Sequence, residues 1–304
     1  MTVLSGVIPV VPTVFHDDEE LDLGGLARVV DYLIDAESDA LCVLANYSEQ
    51  FSLTDDERDR VGRTVLERAA GRVPVVVTTS HYSARVAALR SRQAQDMGAA
   101  MVMLMAPFFG ATMGVPEAAV LDYFTTVAAA IDIPIVIQDA PLSATPLSAE
   151  LLVQLVKHVP QVSHVKIEVP GTADKLRTLL AALGDRLAGP FDGEEAITLI
   201  PDLDAGAVGT MCSSMVPDRL GRIVRRYRAG DRTGAVADWE ALLPLIHFEN
   251  RQCGLRAQKV LLAEGGIIGS DRTRAPFGPV TPATRNSLLE LARRHDPLVL
   301  RWAD

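Results

Sequence analysis

The sequence predicts a (β/α)8 barrel, the TIM-barrel class of α/β proteins, with a C-terminal helical extension. Eight short β-branched or apolar runs recur along the chain, and segments with helical periodicity separate them. Strands that alternate with helices imply right-handed crossovers and a parallel sheet, and eight such repeats close most naturally into a barrel. A doubly wound sheet is the alternative, but no GxGxxG motif follows the first run.

The predicted strands are short apolar runs. In chain order they are Val7–Val11, Ala40–Ala45, Val73–Thr78, Ala100–Met105, Ile133–Ile137, Val162–Ile167, Arg186–Phe191 and Ala207–Cys212. The predicted helices between them carry apolar residues at helical spacing. They are Leu23–Ala36, Thr54–Ala70, Ala84–Met97, Pro116–Ile131, Ser148–His158, Thr172–Leu183 and Glu194–Ala205.

Several of these helices have recognisable ends. Thr54 and Glu57 form a capping-box pattern, in which each side chain can bond the backbone amide of the other residue. Ser83 and Ser148 precede their helices and are predicted to cap them. Glycines follow three predicted helix ends, where a left-handed residue is needed; they are Gly71, Gly98 and Gly184.

The strand signal disappears after about residue 226, and three further helices are predicted at 232–250, 254–264 and 282–295. We therefore expect two parts. Residues 1–225 form the barrel with the active site, and residues 226–304 form a C-terminal helical region.

The composition is that of a water-soluble protein with a large core, because 48% of the 304 residues are apolar and 22% are charged. A net charge of −10 argues against nucleic acid as a partner. No apolar run is long enough to cross a bilayer, and no basic region opens a signal peptide. The expected location is therefore the cytoplasm, without membrane contact.

Metal chemistry is not indicated. The six histidines include no HxH or HExxH pair, and Cys42, Cys212 and Cys253 lack metal-ligand spacing. These cysteines are expected to be reduced structural thiols. We predict no metal and no cofactor.

Lys166 interrupts an apolar, β-branched run in a chain with only four lysines. Lys157 and Lys175 fall in predicted helices, and Lys259 falls among polar neighbours. Burial in a strand would lower the pKa of the Lys166 amine and favour Schiff-base formation with a ketone or aldehyde. Alternatively, its stem lies along the strand while its head reaches water or a carboxylate. The strand context alone does not choose between these two interpretations.

Position in the barrel favours the first interpretation, because catalytic residues lie at the carboxyl ends of barrel strands. Lys166 falls at this end of the sixth predicted strand. The two-residue period of a strand places His164, Lys166 and Glu168 on one face. His164 lies one layer deeper and is expected to be a hydrogen-bonded core histidine.

Several segments occur in the order and at the spacing of a known family. They are Gly6–Phe15, Glu49 with Leu53-Thr54 and Glu57, Pro107-Phe108-Phe109, Pro134 and Pro141, Val165-Lys166, Asp192-Gly193-Glu194-Glu195, and Gly206–Gly209. Together they resemble the dihydrodipicolinate synthase/N-acetylneuraminate lyase family of Schiff-base-forming barrels. The resemblance implies that Lys166 is the Schiff-base lysine, that the substrate is a small 2-keto acid, and that the chain forms a homotetramer.

One departure from the family pattern affects carboxylate binding. Where the family has Thr-Thr, this chain has Asn46, Tyr47 and Ser48. The backbone amides of this segment can still hold a keto-acid carboxylate, so Asn46 and Ser48 are predicted to bind substrate. Tyr47 either lines the pocket, which is the favoured interpretation, or replaces the missing hydroxyl as a catalytic proton donor.

Two further departures argue against the best-known family reactions. Gln138 stands where the family has a proton-relay tyrosine, and an amide cannot move a proton. Ser143 stands where the synthases carry an arginine for a second carboxylate substrate. Both residues are predicted to bind substrate. Dihydrodipicolinate synthesis and sialic acid cleavage are accordingly disfavoured.

Glu168 supplies a carboxylate two residues beyond the lysine. It could remove the C3 proton of a bound 2-keto acid and, once protonated, assist departure of the C4 hydroxyl. This chain has the lysine and this glutamate but lacks the tyrosine. In this combination it resembles the branch of the family that dehydrates 2-keto-3-deoxy sugar acids, such as L-2-keto-3-deoxyarabonate. The alternative is a structural ion pair between Glu168 and Lys166 or an arginine.

Three other residues are predicted to bind substrate: His81, Asp192 and Met211. His81 could instead cap a helix. Asp192, with Glu194 and Glu195, is more simply explained by the dipole of the seventh helix. Phe108 and Phe109 replace family tyrosines, so no hydroxyl is available there for a relay across a subunit contact.

The predicted function is a lyase that dehydrates a 2-keto-3-deoxy sugar acid through a Schiff base on Lys166, with Glu168 as acid and base. One alternative is a retro-aldolase that releases pyruvate, with Tyr47 in the missing role. Another is a non-catalytic barrel that binds keto acids for regulation, since one fold hosts many functions.

Overall fold

The structure is a computed structural model that describes residues 3–108 and 115–303. Eight parallel strands form a closed barrel in sequence order, which confirms the predicted fold class. The strands are β1 Gly6–Val10, β2 Leu41–Val43, β3 Val75–Thr78, β4 Met101–Met105, β5 Ile135–Asp139, β6 Val162–Ile167, β7 Gly189–Asp192 and β8 Gly209–Ser213. All of their residues are buried, as expected for a parallel barrel core.

Helices follow the strands and continue into the C-terminal region. They are α1 Leu23–Asp35, α2 Asp55–Ala69, α3 Ala84–Asp96, α4 Glu117–Ala128, α5 Ala149–His158, α6 Thr172–Leu183, α7 Leu199–Asp204, α8 Pro217–Arg228, α9 Arg232–Phe248, α10 Arg256–Glu264 and α11 Pro282–Arg293. The three C-terminal helices confirm the predicted extension. Within the described ranges, no helix is long and apolar enough to cross a membrane.

Helix α7 is shorter than predicted and begins at Leu199 instead of Glu194. Glu195 and Ala196 have positive φ values of 54° and 68°, which a right-handed helix does not accommodate. Helix α8 was not among the segments predicted individually.

The chain divides into two compact units. One comprises residues 1–5, 75–194 and 198–211, and it holds β3 to β7. The other comprises residues 6–74, 195–197 and 212–304, and it holds β1, β2 and the C-terminal helices. We call them the lysine unit and the C-terminal unit. The boundary predicted between residues 225 and 226 stays a prediction.

The helix-end predictions are confirmed with one exception. Thr54 Oγ1 accepts from the amide of Glu57 at 3.3 Å, and Glu57 Oε2 accepts from the amide of Thr54 at 2.9 Å. Ser148 Oγ accepts from a first-turn amide of α5 at 3.0 Å. Ser83 occupies the N-cap of α3, but the prediction for its side chain is wrong, because its hydroxyl makes no capping bond. The glycines after helix ends adopt positive φ: Gly71, Gly98 and Gly184.

His164 is a core residue of the lysine unit, as predicted. It is fully buried and stacks on Phe191. Its Nε2 accepts from the amide of Leu4 at 3.2 Å, and its Nδ1 lies 2.7 Å from Ser163 Oγ. Gly189 leaves room for the ring, since a Cβ there would lie 1.8 Å from the His164 ring. Burial penalises the charged imidazolium and lowers the pKa of His164 to about 4.

This lowered pKa predicts a stability loss in acid. The unfolded chain protonates His164 near pH 6.5, whereas the folded chain resists protonation until about pH 4. Neutral His164 therefore contributes fully to the free energy of unfolding above pH 6.5. This contribution is lost as the pH falls toward 4, by up to about 3 kcal/mol. We expect the stability advantage of wild type over His164→Gln, measured by urea unfolding, to shrink across this window. An advantage that does not change between pH 7 and pH 4 would contradict the prediction.

Candidate active site

Lys166 lies near the carboxyl end of β6 and is almost completely buried, with 4% of its surface exposed. Its Nζ lies 2.5 Å from Glu168 Oε1. In the parallel sheet, Lys166 is level with Gln138 on β5 and with Phe191 on β7. The lysine therefore meets a carboxylate from its own chain segment and an amide from the neighbouring strand.

Gln138 completes this cluster. Its Nε2 donates to Glu168 Oε1 at 2.7 Å, so the oxygen that meets Lys166 also receives an amide N–H. Its own Oε1 is buried and has no hydrogen-bond partner among residues 3–108 and 115–303. The structure thus brings together three residues that the sequence singled out. It also leaves one buried acceptor beside them.

Gly193 is required by this cluster, and the sequence reasoning assigned it no role. A Cβ at this position would lie 2.7 Å from Lys166 Cγ and 2.8 Å from Glu168 Cγ. It would also lie 2.9 Å from the carbonyl oxygen of Ile167, which the Gly193 amide bonds at 3.0 Å. The backbone at Ile167 cannot move away easily, so a larger residue at position 193 would displace the side chains of Lys166 and Glu168.

Asp139 fixes the backbone that carries Glu168. Its carbonyl accepts from the amide of Glu168 at 3.0 Å. Its side chain is buried and lies 2.6 Å from Lys175 Nζ, which also bonds the carbonyl of Leu147. Burial raises the pKa of Asp139, while the Lys175 ammonium opposes that rise. Sequence reasoning placed Lys175 on a helix and missed this ion pair, which joins α6 to the end of β5.

Asp192 ends β7 and is fully buried. Its Oδ2 accepts from Thr210 Oγ1 at 2.5 Å. The helix-dipole interpretation of Asp192, Glu194 and Glu195 is wrong, because α7 begins only at Leu199. The predicted contact of Asp192 with substrate stays a prediction.

The other predicted substrate-binding residues of the lysine unit make hydrogen bonds within the protein or lie buried in it. His81 Nδ1 accepts from an amide at the start of α3 at 2.9 Å, and its carbonyl accepts from Tyr123 at 2.9 Å. The Ser143 hydroxyl donates to a backbone carbonyl at 3.2 Å, and Met211 is fully buried in β8. Their substrate contacts stay predictions. Phe109 lies outside the described residues.

In the C-terminal unit, Asn46–Ser48 form a short 3-10 turn after β2. Ser48 is fully buried, and its hydroxyl donates to a backbone carbonyl just after β1 at 2.6 Å. Asn46 Oδ1 accepts from Gln50 at 2.7 Å, and the carbonyl of Tyr47 accepts from Gln258 at 2.8 Å. The hydroxyl of Ser48 thus has a structural partner. The functional roles of all three residues stay predictions.

Lys259 is buried, although its polar sequence neighbours suggested an exposed side chain. It is fully buried in α10, where its ammonium bonds the carboxylate of Glu49 and the carbonyl of Arg272. It also lies 4.5 Å above the ring of Phe15, a cation–π contact. Burial lowers the pKa of Lys259 to about 8, although Glu49 opposes the change. Burial alone therefore does not distinguish a catalytic lysine in this chain.

Comparison with known proteins agrees with the ordered motifs. The model of the dihydrodipicolinate synthetase family matches residues 3–294. The chain belongs to this family. It is 55% identical, over 98% of its length and 96% of the relative, to L-2-keto-3-deoxyarabonate dehydratase of Azospirillum brasilense.

More distant family members share the whole fold. The chain is 31% identical to 4-hydroxy-tetrahydrodipicolinate synthase of Sorangium cellulosum, over 96% of both chains. The crystal structure of dihydrodipicolinate synthase from Rhodopseudomonas palustris superposes with a TM-score of 0.88 at 26% identity, covering 95% of this chain and 97% of the other.

The Gly193 contacts give a direct test of the cluster. We expect Gly193→Ala to lower the reactivity of Lys166 toward a 2-keto acid by about 100-fold, because displacement by about 1 Å has an effect of this size. The matched control is Gly269→Ala, since a Cβ at this exposed position meets nothing within 4 Å. Borohydride trapping rates with pyruvate provide the measurement. Equal rates in the two variants would contradict the prediction.

Proposed function

We propose that this protein is a lyase that dehydrates a 2-keto-3-deoxy sugar acid through a Schiff base on Lys166. The observation that carries the proposal is the contact of the buried Lys166 with Glu168, with the amide of Gln138 on the same oxygen. The 55% identity to an L-2-keto-3-deoxyarabonate dehydratase supports a five-carbon substrate of this class.

Imine formation begins from the ion pair. Glu168 takes a proton from the Lys166 ammonium, and the neutral amine attacks the C2 carbonyl of the keto acid. The C2 oxygen then takes one proton from the attacking nitrogen and a second from the carboxyl group of Glu168, and it leaves as water. This step produces an iminium ion, which draws electrons from C3 and makes its protons acidic.

Elimination uses the same carboxylate. Glu168 removes a proton from C3, and the electron pair forms an enamine with the lysine nitrogen. The protonated Glu168 then gives this proton to the C4 hydroxyl, which leaves as water while the enamine returns to an iminium ion. Hydrolysis of the imine releases the dehydrated keto acid and restores Lys166.

The neighbour of Glu168 favours dehydration over carbon–carbon cleavage. Cleavage needs a base that removes the proton of the C4 hydroxyl, a task assigned by resemblance to the family's tyrosine. Gln138 occupies that position and cannot accept such a proton. Its amide instead holds one oxygen of Glu168 at 2.7 Å, which orients the carboxyl group for proton transfer.

We further propose that the enzyme acts in the cytoplasm as a homotetramer and uses neither metal nor cofactor. Cys42, Cys212 and Cys253 are buried, as expected for structural thiols in a reducing compartment. The protein's own lysine supplies the electron sink that a cofactor would otherwise supply. Light scattering after size-exclusion chromatography would measure the number of subunits.

Borohydride trapping tests the Schiff base. We expect wild type, incubated with pyruvate and borohydride, to carry one reduced adduct on Lys166. Lys166→Arg should carry none, because the guanidinium is not nucleophilic at neutral pH. The matched control is Lys157→Arg, whose lysine is exposed at the end of α5 and which should be trapped like wild type. Peptide mapping that finds the adduct on another lysine would refute the proposal.

Substitution of Glu168 tests the acid–base step. We expect Glu168→Gln to lower the dehydration rate by about 10²- to 10⁴-fold. Imine trapping with pyruvate should persist, since Lys166 is still present. Glu67→Gln, at an exposed position of α2, is the control. A wild-type product with the same number of carbons as the substrate supports dehydration. Release of pyruvate by wild type would instead show that the reaction is aldol cleavage.

A further inference from the structure

The side-chain amide of Gln138 uses one of its two ends within the protein. Its Nε2 donates to Glu168 Oε1 at 2.7 Å. Its Oε1 is buried and has no hydrogen-bond partner among the residues that the structure describes. A buried acceptor without a donor is costly, so a donor on a bound ligand would recover free energy at this oxygen.

The orientation of the amide follows from its partner. Lys166 Nζ lies 2.5 Å from Glu168 Oε1, in an ion pair whose carboxylate can only accept hydrogen bonds. The end of Gln138 that meets this carboxylate must therefore be the –NH2 group, because a carbonyl there would face another acceptor. The other end is accordingly the carbonyl oxygen, which accepts a hydrogen bond but cannot donate one.

The amide lies on the face of the sheet that carries the reacting nitrogen. Gln138 on β5 is level with Lys166 on β6, and Glu168 follows two residues later on the same face. The nitrogens of Lys166 and Gln138 each lie within one hydrogen-bond length of the same Glu168 oxygen. In the proposed reaction Glu168 acts on C3 and C4 of a keto acid bound to Lys166. The amide therefore lies beside the same two carbon atoms.

Backbone contacts fix the spacing between the amide and the carboxyl group. Asp139 follows Gln138 in β5, and its carbonyl accepts from the amide of Glu168 at 3.0 Å. Its carboxylate lies 2.6 Å from Lys175 Nζ, which holds the end of β5 to α6. The end of β5 and Glu168 are thus joined by one backbone bond and one side-chain bond. Preorganised dipoles of this kind stabilise charge that develops in a transition state without further reorganisation.

The leaving hydroxyl needs both a proton donor and an acceptor. When Glu168 protonates the C4 oxygen, the C4–O bond breaks with its electrons on oxygen, and the enamine electrons form the C3–C4 double bond. The hydrogen that the hydroxyl already carried stays on this oxygen and becomes more acidic as the oxygen gains positive charge. We propose that Gln138 is a catalytic residue whose Oε1 accepts this hydrogen. One amide then holds the acid by its nitrogen end and the leaving group by its oxygen end.

This inference rests on the proposed function and deepens it. An amide oxygen accepts the hydrogen bond without taking the proton, so it stabilises the departing water and does not start carbon–carbon cleavage. It also restricts the substrate class. The carbon that loses its substituent must carry a hydroxyl group, since an ether or ester oxygen has no hydrogen to donate to Gln138.

Two reactions of the same imine separate the two ends of the amide. Pyruvate has no C4, so exchange of its methyl hydrogens with deuterium, followed by NMR, depends only on Lys166, Glu168 and the nitrogen end. Dehydration of L-2-keto-3-deoxyarabonate needs the oxygen end as well. We expect Gln138→Met to lower the kcat of dehydration by about 10- to 100-fold more than the rate of methyl exchange, the effect of a hydrogen bond to a charged group. Equal losses in the two reactions would overturn the proposal.

The matched control is Gln154→Met, at an exposed position of α5, which should leave both rates unchanged. A substrate without the C5 hydroxyl, 4-hydroxy-2-oxopentanoate, identifies which hydroxyl donates. The extra loss of dehydration in Gln138→Met should persist with this substrate. Its disappearance would assign the oxygen end to the C5 hydroxyl and contradict the contact with the leaving group.

Gln138→Glu covers the case in which the methionine variant does not fold. Its new carboxyl group has nearly the same shape, and when protonated it presents an O–H group to Glu168 and a carbonyl to the leaving hydroxyl. When ionised, it instead repels Glu168 and competes for the Lys166 ammonium. The dehydration kcat of this variant should therefore rise as the pH falls. Recovery of methyl exchange without recovery of dehydration would refute the role of the oxygen end.

Borohydride trapping of wild type with pyruvate separates this inference from the proposed function. Absence of an adduct on Lys166 refutes the proposed function, and the inference with it. Trapping on Lys166, combined with equal losses of exchange and dehydration in Gln138→Met, refutes only the contact between Gln138 and the leaving hydroxyl.

Discussion

The candidate site depends on the buried ion pair between Lys166 and Glu168. Removing two charges from water is costly, and the loss of one partner from such a pair typically costs about 3–5 kcal/mol. The contact is supported here by Gln138, whose amide donates to the same carboxylate oxygen. Gly193 supplies the space that both side chains occupy. The ion pair therefore depends on Gln138 of β5 and on Gly193 after β7, as well as on β6 itself.

The two buried lysines show why partners matter more than burial. Lys259 is as inaccessible as Lys166, but its ammonium is bonded by Glu49 and a backbone carbonyl beneath the ring of Phe15. These contacts fix α10 to the segment after β2. Lys166 instead contacts the carboxylate of Glu168, whose side chain is 15% exposed. The neighbouring oxygen of Gln138 has no hydrogen-bond partner in the described part of the chain. Such a cluster has polar groups left to bind and act on a ligand.

Local sequence signals predicted the fold well where local interactions decide the structure. The capping box of α2 and the glycines after helix ends depend on a few adjacent residues, so pattern reading was sufficient. The start of α7 was misplaced because positive φ values at Glu195 and Ala196 interrupt a segment with helical composition. Ser83 occupies the predicted N-cap position of α3, but its hydroxyl makes no capping bond. The misplaced start of α7 arises from backbone geometry that composition does not encode.

By itself, the sequence determined the barrel, the location of Lys166 at the end of a buried strand, and the presence of Glu168 on the same face, since strand periodicity is a local property. Only the tertiary structure decided which residues surround them. Gln138 and Glu168 are 30 positions apart, and Gly193, which leaves room for Lys166 and Glu168, follows a different strand. Contacts across strands depend on register and on the space left by residues such as Gly193, which a linear pattern does not specify.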